Sequence, residues 1–274
     1  MYRRRRWSSP VRVFARLLTA GFRQRSAYLG AAWGRLAANA TFGFLKAGIL
    51  GATVVAAGGS VGGYDLAQMM AFVWLGQGLL GAVDLNGTDT LARRIRTGDV
   101  AVDFARPLDL QLSRLASFLG ERLFSLIPRG LPSIAIGLAL TPMTLPLAAG
   151  PYLLGAVALV LGMALSFAVV YLVQVLAFWL VEVRGLQVLY MSFAGFFSGL
   201  FVPVGLFPGW LQGVAAATPF PSMLMTTIEI VSGRVTGSGA LGLVAVQVCW
   251  LAGALAAGQV LTRQGRSRLE IQGG

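Results

Sequence analysis

From Pro151 to Val181 the chain carries no Asp, Glu, Lys or Arg, and a run of that length constrains the fold more than any motif does. About 20 consecutive apolar residues are enough to carry a helix across a bilayer. The run is not alone. Comparable apolar stretches cover residues 31–57, 66–85, 123–147, 186–201 and 241–261. Hydrophobic residues make up 56% of the chain and charged residues 12%, where a soluble domain carries about 25% charged residues to coat itself. With a mean hydropathy of +0.74, the sequence predicts an all-α polytopic membrane protein of six transmembrane helices, forming one transmembrane domain over 1–274.

The net charge of +12 would suit nucleic acid, but its distribution does not. The arginines sit at the ends of apolar runs and in alternate loops, as the positive-inside rule requires. Both termini are therefore expected in the cytoplasm of a bacterial cell, with the chain multi-pass in the plasma (inner) membrane in contact with lipid and binding no nucleic acid. Only Arg234 falls on the outer side. Arg3–Arg6 before Trp7 resemble a twin-arginine export signal, but no apolar core follows within a few residues, so they read as a basic anchor. The single cysteine, Cys249, allows no intramolecular disulfide, and the chain has no histidine, which removes the commonest general base and metal ligand.

Within the N-terminal segment 1–28, Arg12, Arg16 and Arg23 share one helical face while Phe14, Leu17, Leu18 and Phe22 fill another. That pattern predicts a helix lying in the membrane interface, with a frayed start to the first span as the competing reading. The first span is interrupted by Arg35, Asn39 and Lys46. Lys46 stands about 20 Å beyond Trp33 along the helix, in the outer half of the bilayer. A lysine there costs about 3 kcal/mol, so it either lines a transport path or snorkels outward. Pro128, Pro132, Pro142 and Pro146 predict kinks in the third span. In 203–232, four prolines forbid one helix while the near absence of charge forbids an open loop. The expectation there is an outer re-entrant helical hairpin between spans five and six.

Charges crowd together once more between Asp84 and Arg129, so the loop over 86–122 must stand in water. No chemistry of its own is legible there. Lys46 is the only lysine, so no phosphate-binding Gly-Lys loop exists. Neither a Ser/His pair nor paired intramembrane aspartates are present, and the loop carboxylates are interleaved with arginines. No enzymatic activity, metal site or bound cofactor is expected. The pairs Gly30–Gly34 and Gly195–Gly199 have the spacing of close helix packing and are candidates for a dimer contact.

Two segments are similar to a known family. Ile95-Arg-Thr-Gly-Asp-Val-Ala-Val-Asp-Phe-Ala-Arg-Pro-Leu-Asp109 resembles the cytoplasmic loop of permease subunits of type-two ABC exporters, particularly the viologen and drug exporter branch. Gly199-Leu-Phe-Val-Pro-Val-Gly-Leu-Phe-Pro-Gly-Trp-Leu-Gln212, with Ala217-Thr-Pro-Phe220, resembles their outer re-entrant region. Phe104 stands where that family usually has an aliphatic residue. The resemblance implies a cytoplasmic ABC ATPase subunit as partner, holding the ATP and magnesium, and a second permease, identical or sister, completing a dimer. It makes 86–122 a coupling loop, with Arg93, Arg94, Arg96, Asp99 and Arg106 as ATPase-docking candidates and Pro107 fixing the turn. It places Gln77, Phe196, Phe197 and Phe201 along a translocation path for an apolar or amphipathic substrate, with Lys46 as a further candidate. The basic segment 262–274 is expected as a cytoplasmic tail. A self-sufficient channel or secondary transporter is the competing class.

Overall fold

The computed structural model describes residues 10–26, 30–87 and 90–272. Helices dominate: α1 (Pro10–Ser26), α2 (Gly30–Ala56), α3 (Leu66–Leu79), α4 (Leu91–Arg96), α5 (Val100–Phe104), α6 (Leu110–Ser125), α7 (Leu131–Leu140), α8 (Gly150–Val175), α9 (Arg184–Phe197), α10 (Gly209–Ala216), α11 (Phe220–Met223), α12 (Met225–Val231) and α13 (Gly237–Gln272). A two-stranded hairpin, β1 (Ser60–Val61) and β2 (Tyr64–Asp65), separates α2 from α3. Among the described residues four helices are long and apolar enough to cross a membrane: Leu36–Ala56, Leu110–Leu140, Gly150–Phe178 and Gly237–Arg268. The fold is thus that of a polytopic all-α membrane protein.

At the centre lies α3. Asp65 opens it with a capping box, accepting from the Gln68 backbone N–H at 2.8 Å while the Gln68 side chain accepts from its own N–H. From Met69 to Leu79 every residue is buried, as expected of a helix that is hydrophobic all round. Trp74 fits because its neighbours are small. A Cβ on Gly137 would lie 2.5 Å from the indole, and one on Gly43 would lie 2.8 Å from it. The expected second span to residue 85 is corrected: α3 stops at Leu79, past which the Ala82 N–H turns back to the Leu79 carbonyl at 2.8 Å, the Asp84 N–H leaves for Ser166, and the Asp84 carboxylate takes the N–H groups of Asn86 and Gly87, both at 3.0 Å. At 1.5 Å per residue, the 14 residues of α3 and the 14 of α9 span about 21 Å each.

The third long helix also departs from expectation. It begins at Leu110, where Asp109 accepts the Leu112 N–H at 2.8 Å, so 110–122 are helical and continuous with the expected third span. It ends at Leu140, ahead of Pro142, and not at 147. Pro128 leaves its mark as a π-turn over Leu126–Gly130, the widened turn that relieves a missing backbone donor. Against α6 lies α1, close enough that a Cβ on Gly120 would stand 1.9 Å from the Leu18 carbonyl oxygen, and one on Gly21 would stand 2.2 Å from that of Ser117. Phe22 meets Phe124 edge-on at 5.2 Å, and Arg12, Arg16 and Arg23 face outward.

Residues 203–232 break at their prolines into a 3-10 turn (Val204–Leu206) followed by α10, α11 and α12. Of these, α12 packs against α8 and α3. The β-hairpin is held to this segment by Tyr64, which donates to Glu229, and by Arg234, whose Nε lies 2.9 Å from the other Glu229 oxygen. Arg234 also covers the Tyr64 ring at 3.5 Å and donates to the Gly63 carbonyl at 2.6 Å. Burial, then the neighbouring Glu229 carboxylate, pushes the Tyr64 phenol far above its ordinary range, so it remains a donor. Finally, α13 runs unbroken through the basic residues Arg263, Arg266 and Arg268 to Gln272, about 54 Å of helix. The expected N-terminal anchor at Arg3–Arg6 lies outside the described residues.

Candidate functional site

The densest set of charged side chains lies at the end of the bundle opposite the β-hairpin, where α4 and α5 form a small platform. Leu91, Ile95 and Val100 turn inward and join Phe167, Tyr171, Val175 and Val183 in one apolar cluster, so the platform rests on α8. Ala92 N–H donates to the Gln174 side chain at 2.9 Å, a second attachment to the same helix. Gly98 supplies the left-handed conformation, φ +78°, that lets α5 follow α4 so closely.

The docking candidates fall into separate roles. Arg94 is an internal brace, its Nε 2.9 Å from Asp103 and its Nη2 donating to the Asp99 carbonyl at 3.1 Å. Asp99 in turn accepts from the Thr97 hydroxyl at 2.7 Å. Arg96 reaches across to Glu182 in the turn before α9, at 2.8 Å. The Arg184 backbone N–H, donating to Glu182 at 3.0 Å, and then the Arg96 guanidinium hold that carboxyl below its ordinary range. Arg93 is exposed on the platform's outer surface. Arg106 stands apart, in the irregular link that Pro107 stiffens, and borders a cavity beneath the platform.

Phe104 is explained by what it touches. It stacks on Phe178 with ring centroids 6.3 Å apart, and Arg266 of α13 lies 5.5 Å over its ring. Arg268 lies 5.7 Å over Trp179, and a Cβ on Gly265 would be 2.3 Å from the Phe178 ring. Gln259 donates to both Asp109 oxygens at 2.9 and 3.0 Å. The far end of α13 thus clasps the platform and the 3-10 turn Leu176–Phe178 from the side. An aliphatic residue at 104 would offer Arg266 no π face. Sequence reading did not find this seam, and the only signal for it was the misplaced aromatic.

Beneath the platform Asp84 is a buried hub, 3% exposed. Besides the two N–H groups named above, its carboxylate takes Arg122 at 3.2 Å. Its backbone N–H donates to Ser166 of α8 at 3.1 Å, and its carbonyl accepts the Tyr190 hydroxyl from α9. Deeper in the bundle, Arg129 of the π-turn donates to Asn39 at 2.7 and 3.2 Å, and Asn39 donates onward to Ser133 and the Gln77 carbonyl. These polar groups pin α2, α3 and the π-turn to one another.

The translocation candidates do not form one surface. Gln77 is buried inside α3's packing at 3% exposure. Phe196 and Phe201 are exposed, at 45% and 56%, while Phe197 is buried beneath them and stacks on Phe193 and Phe220. Lys46 is half-buried. Its ammonium donates to the Leu200 carbonyl just past α9 and lies 5.6 Å over the Phe201 ring. The glycine pairs also separate. Gly199, at φ +78°, terminates α9, so Gly195 and Gly199 do not share a helical face. Gly34 has open space where a Cβ would stand, and the surroundings of Gly30 lie outside the described residues.

No curated protein matches the chain by sequence. A family model does: that of the ABC-2 family transporter proteins, over residues 45–273. The matched span includes the central helix, the platform, the broken segment 203–232 and the whole of α13, which are the parts that give this molecule its shape. A chain of apolar membrane helices carrying one braced polar platform belongs, on that match, to the ABC-2 family of transporters as a multi-pass membrane permease.

Proposed function

We propose that this chain is the membrane-spanning subunit of an ATP-driven exporter of the viologen and drug exporter branch. Membership of the family implies an ABC ATPase subunit as partner. In this reading six passes cross a bacterial plasma membrane, α3 and α9 among them, with both termini in the cytoplasm and residues 203–232 dipping into the outer leaflet. A second permease completes the path, ATP and magnesium stay on the partner subunit, and the α4–α5 platform receives the ATPase stroke. The aromatic, nearly uncharged exposed side of α9 favours an apolar or amphipathic cargo.

One observation carries the reading. The platform is anchored from below by Leu91, Ile95 and Val100 and braced within by Arg94 and Asp103, yet it presents Arg93 outward. A rigid body fixed to α8 transmits a push into the bundle, whereas a floppy loop would absorb it. Arg93→Glu is therefore expected to leave folding intact, within about 0.5 kcal/mol as for an exposed substitution. The same change should abolish ATPase co-purification from native membranes in mild detergent, and with it ATP-dependent export. Retention of both by the variant would remove the platform from the coupling role. Transport by the purified chain without any ATPase would establish the channel or secondary-transporter reading instead.

A further inference from the structure

The cavity beneath the platform has a chemistry that the coupling reading does not use. It measures about 390 Å³, within the range of small-ligand sites. It opens between α1, the link before α6, α6 itself and α8. Its floor is apolar, made by Leu17, Leu110, Phe118 and Phe167, and the rest of its lining is charged, with Arg106, Arg114 and Arg122 beside Asp84, Asp103 and Glu121. Asp84 pairs with Arg122 at 3.2 Å, and Asp103 pairs with Arg94, which reaches in from outside the lining, at 2.9 Å. The lining thus carries three guanidiniums and three carboxylates. Arg106 is exposed and, among the described residues, makes no side-chain hydrogen bond or ion pair.

We propose that this cavity binds the phosphate of an anionic phospholipid, with Arg106 as its principal contact and the apolar floor receiving the start of the acyl chains. Three observations converge on an amphiphile with a negative head. The lining offers Arg106, a guanidinium with no side-chain partner among the described residues, and guanidinium pairs with phosphate in two-pronged fashion. The floor is apolar, which a free inorganic anion does not need. One wall is the amphipathic α1, whose Arg12, Arg16 and Arg23 face outward as an interfacial helix on an anionic leaflet requires. A lipid seated there touches α1, α6 and the link leading out of α5 at once, so the charge of the surrounding leaflet would bear directly on the platform. The proposal does not rest on the exporter reading, because binding is measured without any ATPase.

The test uses the full chain, purified in a neutral detergent at about 150 mM salt and titrated with phosphatidylglycerol, phosphatidylcholine or inorganic phosphate. Native mass spectrometry reads the bound lipid, and thermal unfolding reads phosphate and lipid alike. Phosphatidylglycerol is expected to bind saturably, one per chain, at least tenfold more tightly than phosphatidylcholine. Arg106→Gln should weaken it about tenfold, whereas Arg263→Gln, on the exposed side of α13, should change it less than twofold. Equal losses from the two substitutions would mean diffuse attraction to a basic surface and overturn the site. So would equal affinity for the two lipids. Millimolar inorganic phosphate that protects as well as phosphatidylglycerol, with the same dependence on Arg106, would identify a free-anion site and overturn the lipid assignment.

Discussion

The two ends of the molecule both use arginine, and they use it in opposite ways. At the hairpin end, one arginine, one carboxylate and one phenol close on each other. Arg234 and Tyr64 share Glu229, and the Arg234 guanidinium lies flat on the Tyr64 ring. At the platform end some arginines are braced, such as Arg94 on Asp103, while Arg93 and Arg106 face outward or into a cavity. A closed set of charges satisfies itself and fixes geometry. An open set keeps its free energy for a partner. The contrast separates the residues that hold this fold together from those left over for recognition, and sequence proximity alone does not make that distinction.

The contrast breaks most readily at Glu229. Glu229→Leu leaves both the Tyr64 hydroxyl and the Arg234 guanidinium without their acceptor in a partly buried site, which is expected to cost about 3 kcal/mol. Thermal unfolding in neutral detergent measures it, beside Arg93→Glu as the platform-end reference. If the two variants melt within a degree of each other, the distinction between closed and open charge sets is wrong.

The next largest effect is expected where the platform end meets α1. Gly120→Ala puts a methyl against the Leu18 carbonyl, with no flexible side chain to give way. Displacing α1 should cost about 2 kcal/mol, in the range for overpacked sites. Faster proteolysis within α1, with the rest of the chain protected, would show that α1 is what moves. At the other end of the bundle Lys46→Met removes the charged donor from the Leu200 carbonyl and should cost about 1.5 kcal/mol. A neutral or stabilising result would return Lys46 to the transport path as a residue kept for function.

Much of this architecture was legible in the sequence because hydrocarbon leaves few choices. The uncharged run from Pro151 had to be a long helix, the prolines at 203–221 had to break one, and the basic and apolar faces of α1 could only separate across a helix. What escaped were places where tertiary contacts overrode the local pattern. The expected span to residue 85 ends at Leu79, past which Ser166 takes the Asp84 N–H and the Asp84 carboxylate takes those of Asn86 and Gly87, and no hydropathy window registers side chains that compete for backbone donors. The basic tail stays helical because Arg266 and Arg268 find the rings of Phe104 and Trp179, which lie far from them along the chain. In the candidate site, the charge-rich loop was visible as a cluster. Which arginines brace it and which stand open depended on Asp103 and Glu182 finding Arg94 and Arg96, and spacing does not encode that.

The smallest expected effect belongs to the bridge that ties the platform to the turn before α9. Glu182 titrates below the ordinary carboxylate value of 4.5, because the Arg184 N–H and then Arg96 favour its charged form. A carboxyl whose folded pKa is depressed binds fewer protons folded than unfolded. Its contribution to stability is therefore complete above the unfolded value and is lost as pH falls through the folded one. From pH 7 down to about 5 the Arg96–Glu182 contact should persist, and it should loosen only below pH 4.5. Glu182→Gln removes the titrating group, so the melting temperatures of variant and wild type should differ by a constant, small amount above pH 5 and converge only as the pH falls through the folded value, below 4.5. The pair is exposed and screened, so the offset should also shrink in high salt. A gap that grew instead as the pH fell would mean that Glu182 is held in its protonated form, and the bridge would then lie outside the platform's bracing.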